Sequence, residues 1–154
     1  MPGACGIGVD ISEPAVAVAK DNCRRHGLEE RATILLGSFD GFANDASILA
    51  NAPFDIILCN PPYISPTKIT HMLNTVGHEP MLALVAEDGG YQAYRVIHAS
   101  LANNLDALAP GGCVAFEIGK DMEKGVRRIF SDWTEVGTFK DDWGFLRVIV
   151  FQRP

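Results

Sequence analysis

The stretch Phe54-Asp55-Ile56-Ile57-Leu58-Cys59-Asn60-Pro61-Pro62-Tyr63 decides how the rest of the 154-residue chain is read. Its first six residues are nearly continuously apolar, the pattern of a strand buried on both faces of a parallel sheet. Two successive prolines then fix the backbone and remove two amide donors, which leaves the carbonyls of Asn60 and Pro61 as rigid acceptors. The Asn60 side chain adds an acceptor, and Tyr63 adds a flat ring with a polar tip. Such a group suits a planar nitrogen carrying two hydrogens, either a carboxamide or an exocyclic base amine. The bland alternative is a Pro-Pro turn, and placement directly after a central type of strand counts against it.

Outward from this stretch, strand and helix patterns alternate. Ile7-Gly8-Val9-Asp10-Ile11 predicts a strand, Ser12 an N-cap, Pro14 a first helical turn, and Gly27 a stop after His26. Thr33-Ile34-Leu35-Leu36 predicts the next strand. After a proline-interrupted loop from Asn60 to about Pro80, apolar residues at near-helical spacing predict a helix over residues 90 to 109, stopped by Pro110-Gly111-Gly112. Residues 113 to 118 predict a strand, 123 to 130 a short helix, and 134 to 139 and 145 to 152 two strands joined through Asp141-Asp142-Trp143-Gly144. The expectation is one α/β domain with an open, mostly parallel sheet and an antiparallel last strand.

Composition narrows the function. With 47% hydrophobic and 21% charged residues the chain is an ordinary globular one. A formal net charge of -6 disfavours a protein whose main task is gripping a phosphate backbone. Cys5, Cys23, Cys59 and Cys113 stand singly, with no CxxC pair, and read as buried free thiols in a reducing compartment; no metal site is expected. His26, His71, His78 and His98 share no spacing and read as structural. No apolar run is long enough to span a bilayer and no leader pattern opens the chain, so a cytoplasmic address is expected, or an organellar one if an N-terminal address is missing.

In an open sheet of this kind ligands bind outside the carboxyl ends of the strands. Asp10 and Asn60 both stand there. Asp10 is placed either to accept both hydroxyls of a ribose or to help cap the following helix, and the residue alone weighs the two evenly. Glu117 follows an apolar strand and reads either as facing the ligand side or as a solvated carboxylate at a strand end. Trp133 and Trp143 are assigned to the core or to packing over the terminal hairpin.

The run from Phe54-Asp55-Ile56-Ile57-Leu58-Cys59-Asn60-Pro61-Pro62-Tyr63 through Glu79-Pro80, Gly89-Gly90 and Tyr94-Arg95 to Leu108-Ala109-Pro110-Gly111-Gly112 and Glu117-Ile118-Gly119 resembles the HemK/PrmC family of release-factor glutamine methyltransferases. The likeness covers nearly all of the chain, and its co-occurring motifs are far more specific than NPPY alone. It implies a class I, Rossmann-like sheet that uses S-adenosylmethionine, with a release factor's Gly-Gly-Gln loop as substrate. It also implies Asn60, Pro61, Pro62 and Tyr63 as the catalytic loop. Asn60, Pro61 and Tyr63 hold the amide, and Glu79 and Pro80 shape its pocket. Asp10 and Ile11 serve the cofactor ribose side, and Ser38, Phe39 and Asn60 complete the cofactor set.

Two departures from the family pattern qualify this. Ser38 stands where the family commonly has the aspartate that accepts the adenine amine, which leaves Asp40 to reach in and Phe39 to pack on the adenine. The family's first strand and its D-x-G-x-G-x-G loop have no counterpart, since Gly3, Gly6 and Gly8 lead straight into a strand and do not open a helix. The expectation is therefore a catalytic domain incomplete at its N-terminus, with weak or absent cofactor binding. The central gap would close by pairing residues 7 to 11 with residues 54 to 59, or through self-association at exposed strand edges. The alternatives are a ribosomal-protein glutamine methyltransferase, an adenine-amine methyltransferase on DNA or RNA, and an inactive fragment.

Overall fold

The computed structural model describes residues 3 to 69 and 79 to 154, so His71 and His78 lie outside the described residues. β1 (Gly6–Asp10) leads into α1 (Glu13–Arg25) and back to β2 (Ala32–Leu36), which runs parallel to β1. The Ser12 side chain accepts from the Ala15 amide at 3.4 Å, and Glu13 and the Arg24-Arg25 pair complement the two ends of the helix dipole. Gly27 closes the helix at φ 63°, a conformation that costs glycine nothing.

α2 (Ala46–Leu49) precedes β3 (Phe54–Cys59), and α3 (Met81–Leu84) precedes α4 (Gln92–Asn103). β4 (Leu108–Glu117), α5 (Glu123–Ile129), β5 (Thr134–Lys140) and β6 (Leu146–Gln152) complete the order. The second sheet runs β3-β4-β6-β5, with β3 parallel to β4 and β6 antiparallel to both neighbours. The α/β class and the antiparallel last strand are as expected. The hairpin turn also forms: Asp141 Oδ1 accepts from the amides of Trp143 at 3.1 Å and Phe145 at 2.9 Å.

Three expectations are corrected. The helix predicted over 90 to 109 ends at Asn103, because Asn104 leaves helical backbone at φ -144°, and β4 begins at Leu108, before the glycine pair. Trp133 is buried beside Phe130, whereas Trp143 is exposed at the tip of the hairpin. Residues 7 to 11 and 54 to 59 do not pair with each other: β1 pairs with β2 and β3 with β4, in separate sheets.

The core lies between one face of the larger sheet and helices α4 and α5. Tyr94, Ile97 and Leu101 meet Leu108, Val114 and Phe116, and Val126, Phe130, Ile149 and Phe151 fill the space between. Phe130 and Phe151 stack at 4.9 Å between ring centroids. On β3 the register shifts after Phe54, which joins this core, and from there only alternate residues do. Ile57 and Cys59 pack against it, while Ile56 and Leu58 are 50% and 75% exposed on the opposite face. The continuously apolar strand is thus covered on one side only. No described helix is long and apolar enough to cross a membrane.

Candidate functional site

Asn60 stands exposed at the carboxyl end of β3, Pro61 is buried, and Pro62 and Tyr63 are half-buried. This loop is held along its backbone. The Ile64 amide donates to the Leu84 carbonyl and the Ala86 amide to the Ile64 carbonyl, both at 2.9 Å, forming a short parallel bridge with Val85. The segment that follows Glu79-Pro80 is thereby fastened to the proline loop.

Two glycines press on Tyr63. Gly90 has φ 97°, and a Cβ there would meet the Tyr63 carbonyl oxygen at 2.2 Å, so the position requires glycine twice over. A Cβ on Gly119 would stand 2.9 Å from Cδ2 of the Tyr63 ring. The Tyr63 hydroxyl donates to Glu117 Oε1 at 3.4 Å and accepts from Arg147 Nη2 at 3.4 Å, and Arg147 Nη2 donates to Glu117 Oε1 at 3.1 Å.

The proline loop separates two depressions. The first is bordered by Pro62 with Ile11, Ser38, Phe39, Leu82, Val85, Ala86, Gln92 and Ala93. The second is bordered by Asn60 with Leu58, Cys59, Ala115, Glu117 and Val148. Of the residues expected to serve a cofactor, Ile11, Ser38 and Phe39 therefore meet in one hollow, and Asn60 opens on the other. Glu79 and Pro80 are exposed and border neither, their place being taken by Leu82 and Val85. Asp40 is exposed and does not line the first hollow.

Asp10 helps shape the entry to α1 and does not line the first hollow. Its Oδ1 accepts the Ser12 amide at 2.8 Å at the entry to α1, and a carboxylate with about four lone-pair sites keeps further capacity to accept. Burial pushes the Cys59 thiol up to about 12, so beside Asn60 stands a neutral thiol at ordinary pH. Among the described residues no group of three or more His, Cys, Asp or Glu is placed to hold a metal ion.

Sequence reading missed Arg147, Tyr94 and Gln92. Arg147 interrupts the apolar run Phe145-Leu146-Arg147-Val148-Ile149-Val150, and that interruption was the available signal. Tyr94 is fully buried and its hydroxyl donates to the Glu117 carbonyl at 2.8 Å; nothing in a lone tyrosine on a helix announces that.

No family model matches the chain. A release factor glutamine methyltransferase of Caulobacter vibrioides is 39% identical over 145 residues, covering 91% of this chain and 46% of that protein. The HemK/PrmC release factor glutamine methyltransferases are its homologues. A bifunctional methyltransferase of Rickettsia felis is 37% identical over 98% of this chain and 28% of its own length. The chain thus spans less than half of the length of these two relatives.

Solved structures show the fold. The catalytic domain of hMettl16, in complex with a MAT2A 3'UTR hairpin, superposes with a TM-score of 0.71 at 12% identity, covering 98% of this chain and 56% of that one. The yhhF protein of Escherichia coli gives 0.63 at 13% identity, covering 97% and 64%. N-methyltransferase NodS with S-adenosyl-L-homocysteine gives 0.57 at 16% identity, covering 96% and 66%. The architecture is that of the class I methyltransferases.

Proposed function

We propose that the chain is the catalytic part of an S-adenosylmethionine-dependent methyltransferase acting on the side-chain amide nitrogen of a protein glutamine, in the Gly-Gly-Gln loop of a release factor. One observation carries this reading: Asn60 stands exposed on a clamped proline loop at a strand's carboxyl end, between two hollows. The likeness to proteins named release factor glutamine methyltransferase supports the substrate class.

The residues present fit the adenosine half of the cofactor. Ile11, Phe39 and Pro62 form an apolar hollow with Ser38 and Gln92 as its polar members, and the Asp10 carboxylate at the end of β1 would take the ribose hydroxyls. The cofactor supplies an electrophilic methyl group. The protein's task is to orient a poor nucleophile, because an amide lone pair is delocalised into its carbonyl. Acceptors at Asn60 and the Pro61 carbonyl would hold both N-H groups, aim the lone pair and stabilise the positive charge that grows on nitrogen.

The test presents the intact protein with S-adenosylmethionine and, separately, a Gly-Gly-Gln protein loop, a ribosomal protein and adenine-bearing DNA or RNA. Methylated release-factor glutamine is the expected product. Methylation of ribosomal glutamine alone, or of adenine alone, replaces this reading with the corresponding alternative.

A further inference from the structure

We propose that Glu117 and Arg147 are positioning residues that act through the Tyr63 hydroxyl, so that the antiparallel last strand sets the geometry of the proline loop. The proposal rests on the reading that this loop holds the reacting amide.

Four observations converge on Tyr63. Its carbonyl is pressed on Gly90 and its ring on Gly119, which restrict where the residue can go. The hydroxyl is the remaining handle, and it meets a carboxylate and a guanidinium that already pair with each other at 3.1 Å. Arg147 is aimed from behind by Asp141, whose Oδ2 is 3.9 Å from Nε and whose Oδ1 builds the hairpin turn. Glu117 is fixed from below, since Tyr94 donates to its backbone carbonyl at 2.8 Å. Glu117 also borders the hollow onto which Asn60 opens, so a shift of this triangle is a shift of the wall facing Asn60.

The two contacts to the phenol, at 3.4 Å, are long for hydrogen bonds, and the ion pair is the tight side of the triangle. That geometry suits a clamp that tightens when substrate settles the loop, as polar contacts in active sites commonly do on binding. In a half-buried place a planar guanidinium can bridge a carboxylate and a hydroxyl at once, which an ammonium does less well.

The experiment compares Arg147→Met and Glu117→Gln in the wild-type and Tyr63→Phe backgrounds of the intact protein. Each single variant should lower kcat roughly tenfold to a hundredfold, the size of a lost hydrogen bond to a charged group. KM for cofactor should be little changed. In the Tyr63→Phe background the same changes should add less than about twofold, because the route through the hydroxyl is already gone. Arg147→Lys should recover part of the loss. Equal losses in both backgrounds would overturn the proposal.

A second readout is independent of any substrate. Fluorotyrosine incorporated into the 154-residue chain at Tyr63, Tyr91 and Tyr94 gives three fluorine resonances, assigned by Tyr→Phe replacement. The Tyr63 line should move in Arg147→Met and Glu117→Gln, and a line that stays put while stability falls would show a purely structural role. If glutamine is not methylated but the Tyr63 line moves, the functional reading fails and the anchor stands.

Discussion

The Tyr94 hydroxyl, fully buried under the sheet, donates to the backbone carbonyl of Glu117 at 2.8 Å. One end of Glu117 is thus held by the core and the other by Arg147, which makes the carboxyl end of β4 a rigid floor beneath the proline loop. Removing the hydroxyl by Tyr94→Phe leaves a buried carbonyl without its partner. The expected loss is about 1–3 kcal/mol of stability, read from urea unfolding, with the fold kept.

Gly90 and Gly41 make a matched pair. A methyl group on Gly90 must displace the Tyr63 carbonyl and also accept a left-handed backbone, whereas one on Gly41 meets nothing within 4 Å. Gly90→Ala should cost about 2–4 kcal/mol and move the proline loop, and Gly41→Ala should fall within about 0.5 kcal/mol of wild type. Similar effects at the two sites would contradict the close approach of Gly90 to the Tyr63 carbonyl.

The thiols differ in reactivity. Against the expectation of buried thiols, Cys5 is exposed and Cys23 and Cys113 are half-buried, while the Cys59 thiol packs on the core and burial pushes it up to about 12 from an ordinary 9.0. Alkylation near pH 8, followed by mass spectrometry, should label Cys5 well before Cys59. The sign of the linked stability follows. A raised folded value leaves stability intact below the unfolded thiol's range and erodes it as pH climbs from about 9 towards 12.

How far the sequence alone carried the fold depends on how local each cause is. Ser12, Pro14 and Gly27 bound α1 through contacts inside a few residues, and Asp141 builds its turn from the next four, so both were readable. The end of α4 was not, because Leu105 and Leu108 continue a helical spacing that Asn104 breaks. At the site, Asn60 and its prolines announced themselves by chemistry and position. Gly119 and Arg147 did not, since the reason for each is the ring or hydroxyl of Tyr63, distant along the chain and adjacent only after folding.

β1 and β3 each have one pairing partner among the described residues, and Val9 at 37%, Ile56 at 50% and Leu58 at 75% exposure accompany them. Strand edges and apolar faces of this kind recruit other chains. Self-association of this 154-residue chain is the expected outcome, with the mean mass in sedimentation equilibrium rising with concentration. Leu58→Lys should reduce it, and a monomer at every concentration would count against it.

The central claim is that Asn60 holds the reacting nitrogen. Asn60→Ala in the intact protein should lower methyl transfer to a Gly-Gly-Gln loop by roughly a hundredfold or more, the scale of losing one preorganised polar contact to a reacting group. Cofactor affinity should change far less, since Asn60 opens on the second hollow and Ile11, Ser38 and Phe39 line the first. The most direct measurement is mass spectrometry of that loop after incubation with S-adenosylmethionine and either protein. A single added methyl on the glutamine amide with wild type, nearly lost with Asn60→Ala, is the predicted result; equal methylation by the two proteins would contradict the account.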